Sequence, residues 1–100
     1  MDYKQFIVES GLRMLKSGLT VETWGNISVR DTETGLIYLT PSGMAYDSIR
    51  PEDVVVVNDK CEIVDGFCKP TIEAGMHVHI LKSRPEINAV VHTHPIYSQV

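Results

Sequence analysis

Four valines in succession, Val54, Val55, Val56 and Val57, constrain this chain more than any other feature. Branching at Cβ crowds a helix but suits a pleated strand. No polar residue alternates through the run, so the segment reads as a central strand buried on both faces. Its flanks agree: Arg50-Pro51-Glu52-Asp53 precedes it, and Asn58-Asp59-Lys60 turns the chain into a shorter run, Glu62-Ile63-Val64, before Asp65-Gly66 turns it again. Residues 26–30 and 36–40 read as two further strands around Asp31-Thr32-Glu33-Thr34-Gly35, a good hairpin connection. Residues 88–93 supply another apolar strand, which Pro95 ends.

Between these strands the apolar period changes. Tyr3, Phe6, Ile7, Met14 and Leu15 form a helical stripe, with Asp2 as N-cap and Gly18 as stop. Lys69-Pro70-Thr71 opens a second helix: Thr71 caps it, Glu73 sits in its first turn, and Met76, Ile80 and Leu81 carry it to about Ser83 before Pro85. Residues 96–100 resemble the opening of a third. Strands interleaved with helices give an α/β or α+β sheet domain. No repeat or linker divides the 100 residues, and their abrupt end points to a piece of a longer domain.

Composition removes several function classes. Hydrophobic residues are 43% and charged residues 22%, an ordinary globular mixture rather than a disordered or fibrous one. The net charge of −4, without a basic cluster, lacks the footprint of a nucleic-acid binder. The valine run is too short to cross a bilayer, and the first residues lack the pattern of a secretory signal, so a cytoplasmic protein without membrane partners is expected. Cys61 and Cys68 have neither CxxC spacing nor an electropositive setting, since Glu62 and Asp65 lie beside them. They read as reduced thiols without chemistry.

The sharpest chemical signal is His92-Thr93-His94. On a strand, residues two apart share a face, so two imidazoles stand side by side, a bidentate site for zinc or a similar ion. The same pair would equally suit two edge histidines bonded to backbone or water. Two ligands do not complete a site, and Glu73 is a candidate third ligand or base. A solvated first-turn glutamate is the plainer alternative. His77 and His79 lie two apart on the second helix, about 200° around it, and cannot chelate one ion together. Both read as packing or surface residues. Gly25-Asn26, Thr40-Pro41-Ser42-Gly43 and Pro70-Thr71 are small-residue turns whose N–H groups and hydroxyls could converge on an anion.

Four segments then occur in order: Trp24-Gly25-Asn26-Ile27-Ser28-Val29-Arg30, Leu39-Thr40-Pro41-Ser42-Gly43-Met44, Lys69-Pro70-Thr71-Ile72-Glu73, and Arg84-Pro85-Glu86-Ile87-Asn88-Ala89-Val90-Val91-His92-Thr93-His94-Pro95. Together they resemble the zinc-dependent class II aldolases of the fuculose-phosphate aldolase type. That superfamily also holds ribulose-phosphate epimerases and the adducin head domain. The resemblance covers nearly the whole chain and implies that residues 1–100 are the N-terminal part of one such domain.

It further implies a three-layer αβα fold, with a mostly antiparallel or mixed sheet between helices, and a homotetramer in the complete protein. His92 and His94 become metal ligands, and Glu73 a carboxylate at the metal that works as general acid/base. Gly25, Asn26, Ser42, Gly43 and Thr71 line a phosphate pocket. The implied chemistry is reversible aldol cleavage of a sugar phosphate or related hydroxyketone through an enediolate, with zinc or another divalent ion as Lewis acid. The family's third histidine ligand and catalytic tyrosine come later than Val100. Ile72 stands where sugar-phosphate aldolases often place a second serine, which removes one phosphate donor. A pentulose-phosphate 4-epimerase, a ketose-phosphate dehydratase and a non-catalytic adducin-like scaffold share the fold. Family epimerases tend to carry Asp where this chain has Glu73, which favours the aldolase.

Overall fold

A computed structural model describes residues 2–17, 26–41, 48–66 and 74–92, without the side chains of residues 14, 15, 17, 91 and 92. Helix α1 (Tyr3–Ser17) begins as its sequence dictates: Asp2 accepts the Gln5 N–H at 3.2 Å on its side chain, and the Phe6 N–H at 3.0 Å on its carbonyl. Strands β1 (Asn26–Arg30) and β2 (Ile37–Leu39) form the expected hairpin. Its loop closes through Asp31, which takes the Gly35 N–H on its carbonyl and the Glu33 N–H on its carboxylate. Gly35 has φ +78°, a conformation that a side chain resists.

A 3-10 turn (Pro51–Asp53) leads into β3 (Val55–Val57), then β4 (Ile63–Asp65), helix α2 (Ala74–Ser83) and β5 (Ala89–His92). Gly18, and the proposed cap Thr71 with the start of the second helix, lie outside the described residues. So does the segment 96–100.

The five strands form one sheet in the order β4-β3-β2-β1-β5, and all four pairings are antiparallel. The valines are buried as expected, none more than 3% exposed. Their strand is central as expected: among the described strands, β3 has β2 on one side and β4 on the other. A short outer strand suffices to pair the far side of β3, and β4 leaves Ile63 and Val64 half exposed. Beyond it, the Lys4 ammonium meets Asp65 at 2.8 Å and holds that carboxyl below its ordinary range.

Alternate residues along the strands feed two apolar clusters. Ile27, Val29 and Val54 join Ile7 and Val8 of α1, with Tyr38 stacked on Tyr3 at a centroid distance of 5.3 Å. Burial pushes the Tyr38 phenol above its usual pKa. Ile37, Leu39, Val55 and Val57 join Ala74, Val78 and Leu81 of α2. No helix among the described residues is long and apolar enough to cross a membrane.

Two polar contacts tie this framework. The Ile27 N–H donates to Thr40 Oγ1 at 3.3 Å and the Thr40 N–H to the Ile27 carbonyl at 3.1 Å, so buried Thr40 extends the β1–β2 pairing by one side-chain bond. At the other end of β1, the Arg30 guanidinium donates to the carbonyls of Leu81, Ile87 and Pro85, the last at 3.1 Å. A cation there answers the negative end of the α2 dipole and its unpaired carbonyls.

Arg30→Ala should destabilise the full-length protein by about 2–3 kcal/mol in denaturant unfolding, because several charge-assisted bonds go at once. Arg30→Lys should recover less than half, since a single ammonium cannot span those carbonyls. Thr40→Val, nearly the same shape, leaves the buried Ile27 N–H without its acceptor and should cost roughly 1–3 kcal/mol in the same assay.

Candidate active site

Antiparallel register decides which chain segments meet. Asn26 opens β1, and its Cα partner across the β1–β5 pair is His92, the last residue of β5. Thr40, directly after β2, is bonded to Ile27. One end of the sheet therefore gathers the start of β1, the end of β2 and the end of β5. Helix α2 runs alongside: His77, in its first turn, touches Asn26 and Ser28, whereas the Leu81 carbonyl near its other end meets Arg30. The helix thus enters at the sheet end that holds Asn26, Thr40 and His92.

The polar side chains there form a buried seam. His77 is fully enclosed, Ser28 likewise, and Asn26 is 5% exposed. His77 Nδ1 lies 2.6 Å from Ser28 Oγ, and His77 Nε2 is hydrogen-bonded to Asn26 Oδ1. Sequence reasoning expected a packing or surface residue at His77, and it is packed, but its link to Asn26 was missed. The available signal was the pair Asn26 and Ser28, two polar residues alternating with the apolar Ile27 and Val29; polar groups on a buried face require partners. His79 is exposed.

Of the residues expected at the site, Asn26 is described with its side chain and His92 by its backbone alone. Gly25, Ser42, Gly43, Thr71, Glu73 and His94 lie outside the described residues, as do Ile72 and Cys68. Among the described residues no group of three His, Cys, Asp or Glu could hold a metal ion. The chemistry of the expected donors nevertheless suits one. Two imidazoles and a carboxylate are ligand types for a borderline divalent cation. Cys61 is a free, half-buried thiol in the β3–β4 turn. It borders a cleft of about 580 Å³ shared with Lys60, His79 and Lys82 of the turn and α2. That turn follows Val57, at the sheet end opposite Asn26, and the cleft runs from it along α2 as far as Gly75, without Asn26, Ser28 or His77 in its lining.

Comparison with known proteins identifies the family and the fold. The sequence model of the family described as Class II Aldolase and Adducin N-terminal domain matches residues 5–100. A 5-deoxy-D-ribulose 1-phosphate aldolase of Bacillus thuringiensis serovar kurstaki is 44% identical over 96 residues, which are 96% of this chain and 45% of that protein. Among solved structures, an L-fuculose 1-phosphate aldolase superposes with a TM-score of 0.90 at 35% identity, covering 94% of this chain and 44% of the other. The L-fuculose-1-phosphate aldolase of Thermus thermophilus gives 0.72 at 30% identity, covering 90% and 44%. The chain spans less than half the length of these relatives. It belongs to the class II aldolase and adducin N-terminal domain family.

Proposed function

We propose that the full-length protein is a class II metal-dependent aldolase, a carbon–carbon lyase that reversibly cleaves a ketose 1-phosphate or a related phosphorylated hydroxyketone. The observation that carries this reading is the register pairing of Asn26 with His92 at the sheet end where α2 begins. The named relatives act on 1-phosphorylated ketoses, and the substrate class follows theirs. Each expected site residue outside the described segments is within three residues of a described position at that end: Gly25 beside Asn26, Ser42 and Gly43 after Thr40, Thr71 and Glu73 before Ala74, His94 after His92.

In this reading His92 and His94 hold a zinc or similar divalent ion, with Glu73 beside them and a further ligand from the remainder of the protein. When bound, the ion supplies Lewis acidity at the hydroxyketone oxygens. Asn26 and Thr71 donate side-chain hydrogen bonds to the phosphate, joined by Ser42 and by the N–H groups of Gly25 and Gly43. Ile72 keeps its N–H but adds no hydroxyl, so this pocket has one donor fewer than a paired-serine site. Glu73 moves the proton at the carbon from which the aldehyde departs. A carboxyl can do this in either direction if its pKa is held near the working pH. We further propose that the α1 and α2 clusters are the two outer layers of a three-layer αβα domain, and that the complete protein is a cytoplasmic homotetramer in carbohydrate metabolism.

In the full-length protein, His92→Ala should lose the bound metal, read by elemental analysis, together with aldehyde release from a ketose 1-phosphate. Glu73→Gln should lower turnover at least about 100-fold, the scale on which a single charge-stabilising group acts. Unchanged turnover in His92→Ala would reject the assignment. Interconversion of the phosphorylated sugar without free aldehyde would indicate epimerisation instead, and loss of water alone would indicate a dehydratase. A full-length protein that contains no metal and takes up none would favour a scaffold.

A further inference from the structure

His77 is fully enclosed between α2 and β1, and both ring nitrogens face side chains of the same strand. The proton assignment follows from the partners. Asn26 Oδ1 is a carbonyl oxygen and can only accept, so His77 Nε2 carries the proton and donates. With the proton on Nε2, Nδ1 is the accepting nitrogen, and the Ser28 hydroxyl donates to it. The bonds form a directed relay, Ser28 to His77 to Asn26.

The relay matters because the two branches of an asparagine amide are nearly equal in shape and opposite in polarity. Its last torsion is broad and roughly two-fold, so an unrestrained Asn26 could turn either its oxygen or its NH2 toward a ligand. A bond from His77 engages the oxygen and leaves the NH2 as the branch offered to an anion. We propose that His77 is a positioning residue for substrate phosphate: by holding the Asn26 carbonyl from below, it fixes the Asn26 amide as a donor beside His92. This rests on Asn26 being a phosphate-pocket residue, as read above. His77 itself touches strand side chains rather than substrate. Its effect therefore appears in binding of the phosphorylated group, through Asn26.

The test uses the full-length protein and inorganic phosphate, whose dissociation constant is measured directly and as competition with substrate. Asn26→Ala should weaken phosphate about 10-fold or more, and His77→Leu should approach that loss, raising KM more than it lowers kcat. His77→Gln, which keeps an N–H near the Nε2 position, should restore binding to within about 3-fold of the parent. In the Asn26→Ala background, His77→Leu should add less than about 2-fold, because two residues acting through one contact are not additive. Nitrogen-15 NMR of the unmodified protein gives an independent readout and should show His77 as the Nε2–H tautomer.

Full additivity of the two substitutions, or an Nδ1–H tautomer, overturns the positioning role while leaving the phosphate pocket intact. Phosphate binding unchanged in Asn26→Ala overturns the pocket assignment and the positioning role with it. If His77→Leu does not fold, the tautomer and the His77→Gln variant decide the matter.

Discussion

The register of β1 is the constraint on which the rest depends. This strand pairs on one side with β2 and on the other with β5, so its position fixes both neighbours along the sheet. Its two faces have different chemistry. Ile27 and Val29 enter the apolar cluster with α1, whereas Asn26, Ser28 and Arg30 all make their side-chain bonds to α2 or the turn after it. A slip of one residue would exchange the faces, placing three polar groups in the α1 cluster and two aliphatic ones against His77 and the helix end. Neither exchange leaves the buried polar groups partnered, so the register is specified by hydrogen bonding as well as by apolar burial.

The same strand sets the direction of α2. Arg30 binds the carbonyls at the end of the helix, and Asn26 and Ser28 bind His77 near its start. With both ends pinned, the helix is aligned along β1 rather than merely packed on it. The aliphatic contacts of Val78 and Leu81 with Ile37, Leu39 and Val57 supply the larger share of burial but little direction, because apolar contact is tolerant of sliding. The polar seam supplies the direction. One consequence is that α2 begins at the sheet end holding Asn26 and His92.

Much of this was legible in residue order. Asp2 as a cap, the hairpin around Gly35, the buried valines and a strand running to His92 each follow from local rules of dihedral preference, capping and period. One feature was not legible. His77 was expected to pack or to lie on the surface, because a histidine on a helix carries no mark of what lies beneath it. Its partner is 51 residues earlier in the chain, and Arg30 reaches as far in the opposite sense.

The sequence by itself determined the kinds of elements and their order, and it raised Glu73, His92 and His94 as candidates for a metal and a proton and small turns as candidates for an anion. These depend on side-chain branching, period and donor type, which are properties of neighbours along the chain. Tertiary structure alone decided that Asn26, Thr40 and His92 share one end of the sheet, that α2 begins there, and that a buried imidazole holds the Asn26 amide. Those facts depend on strand pairing and on which face meets which helix, and long-range pairing is settled by the joint burial of residues that sequence distance keeps apart.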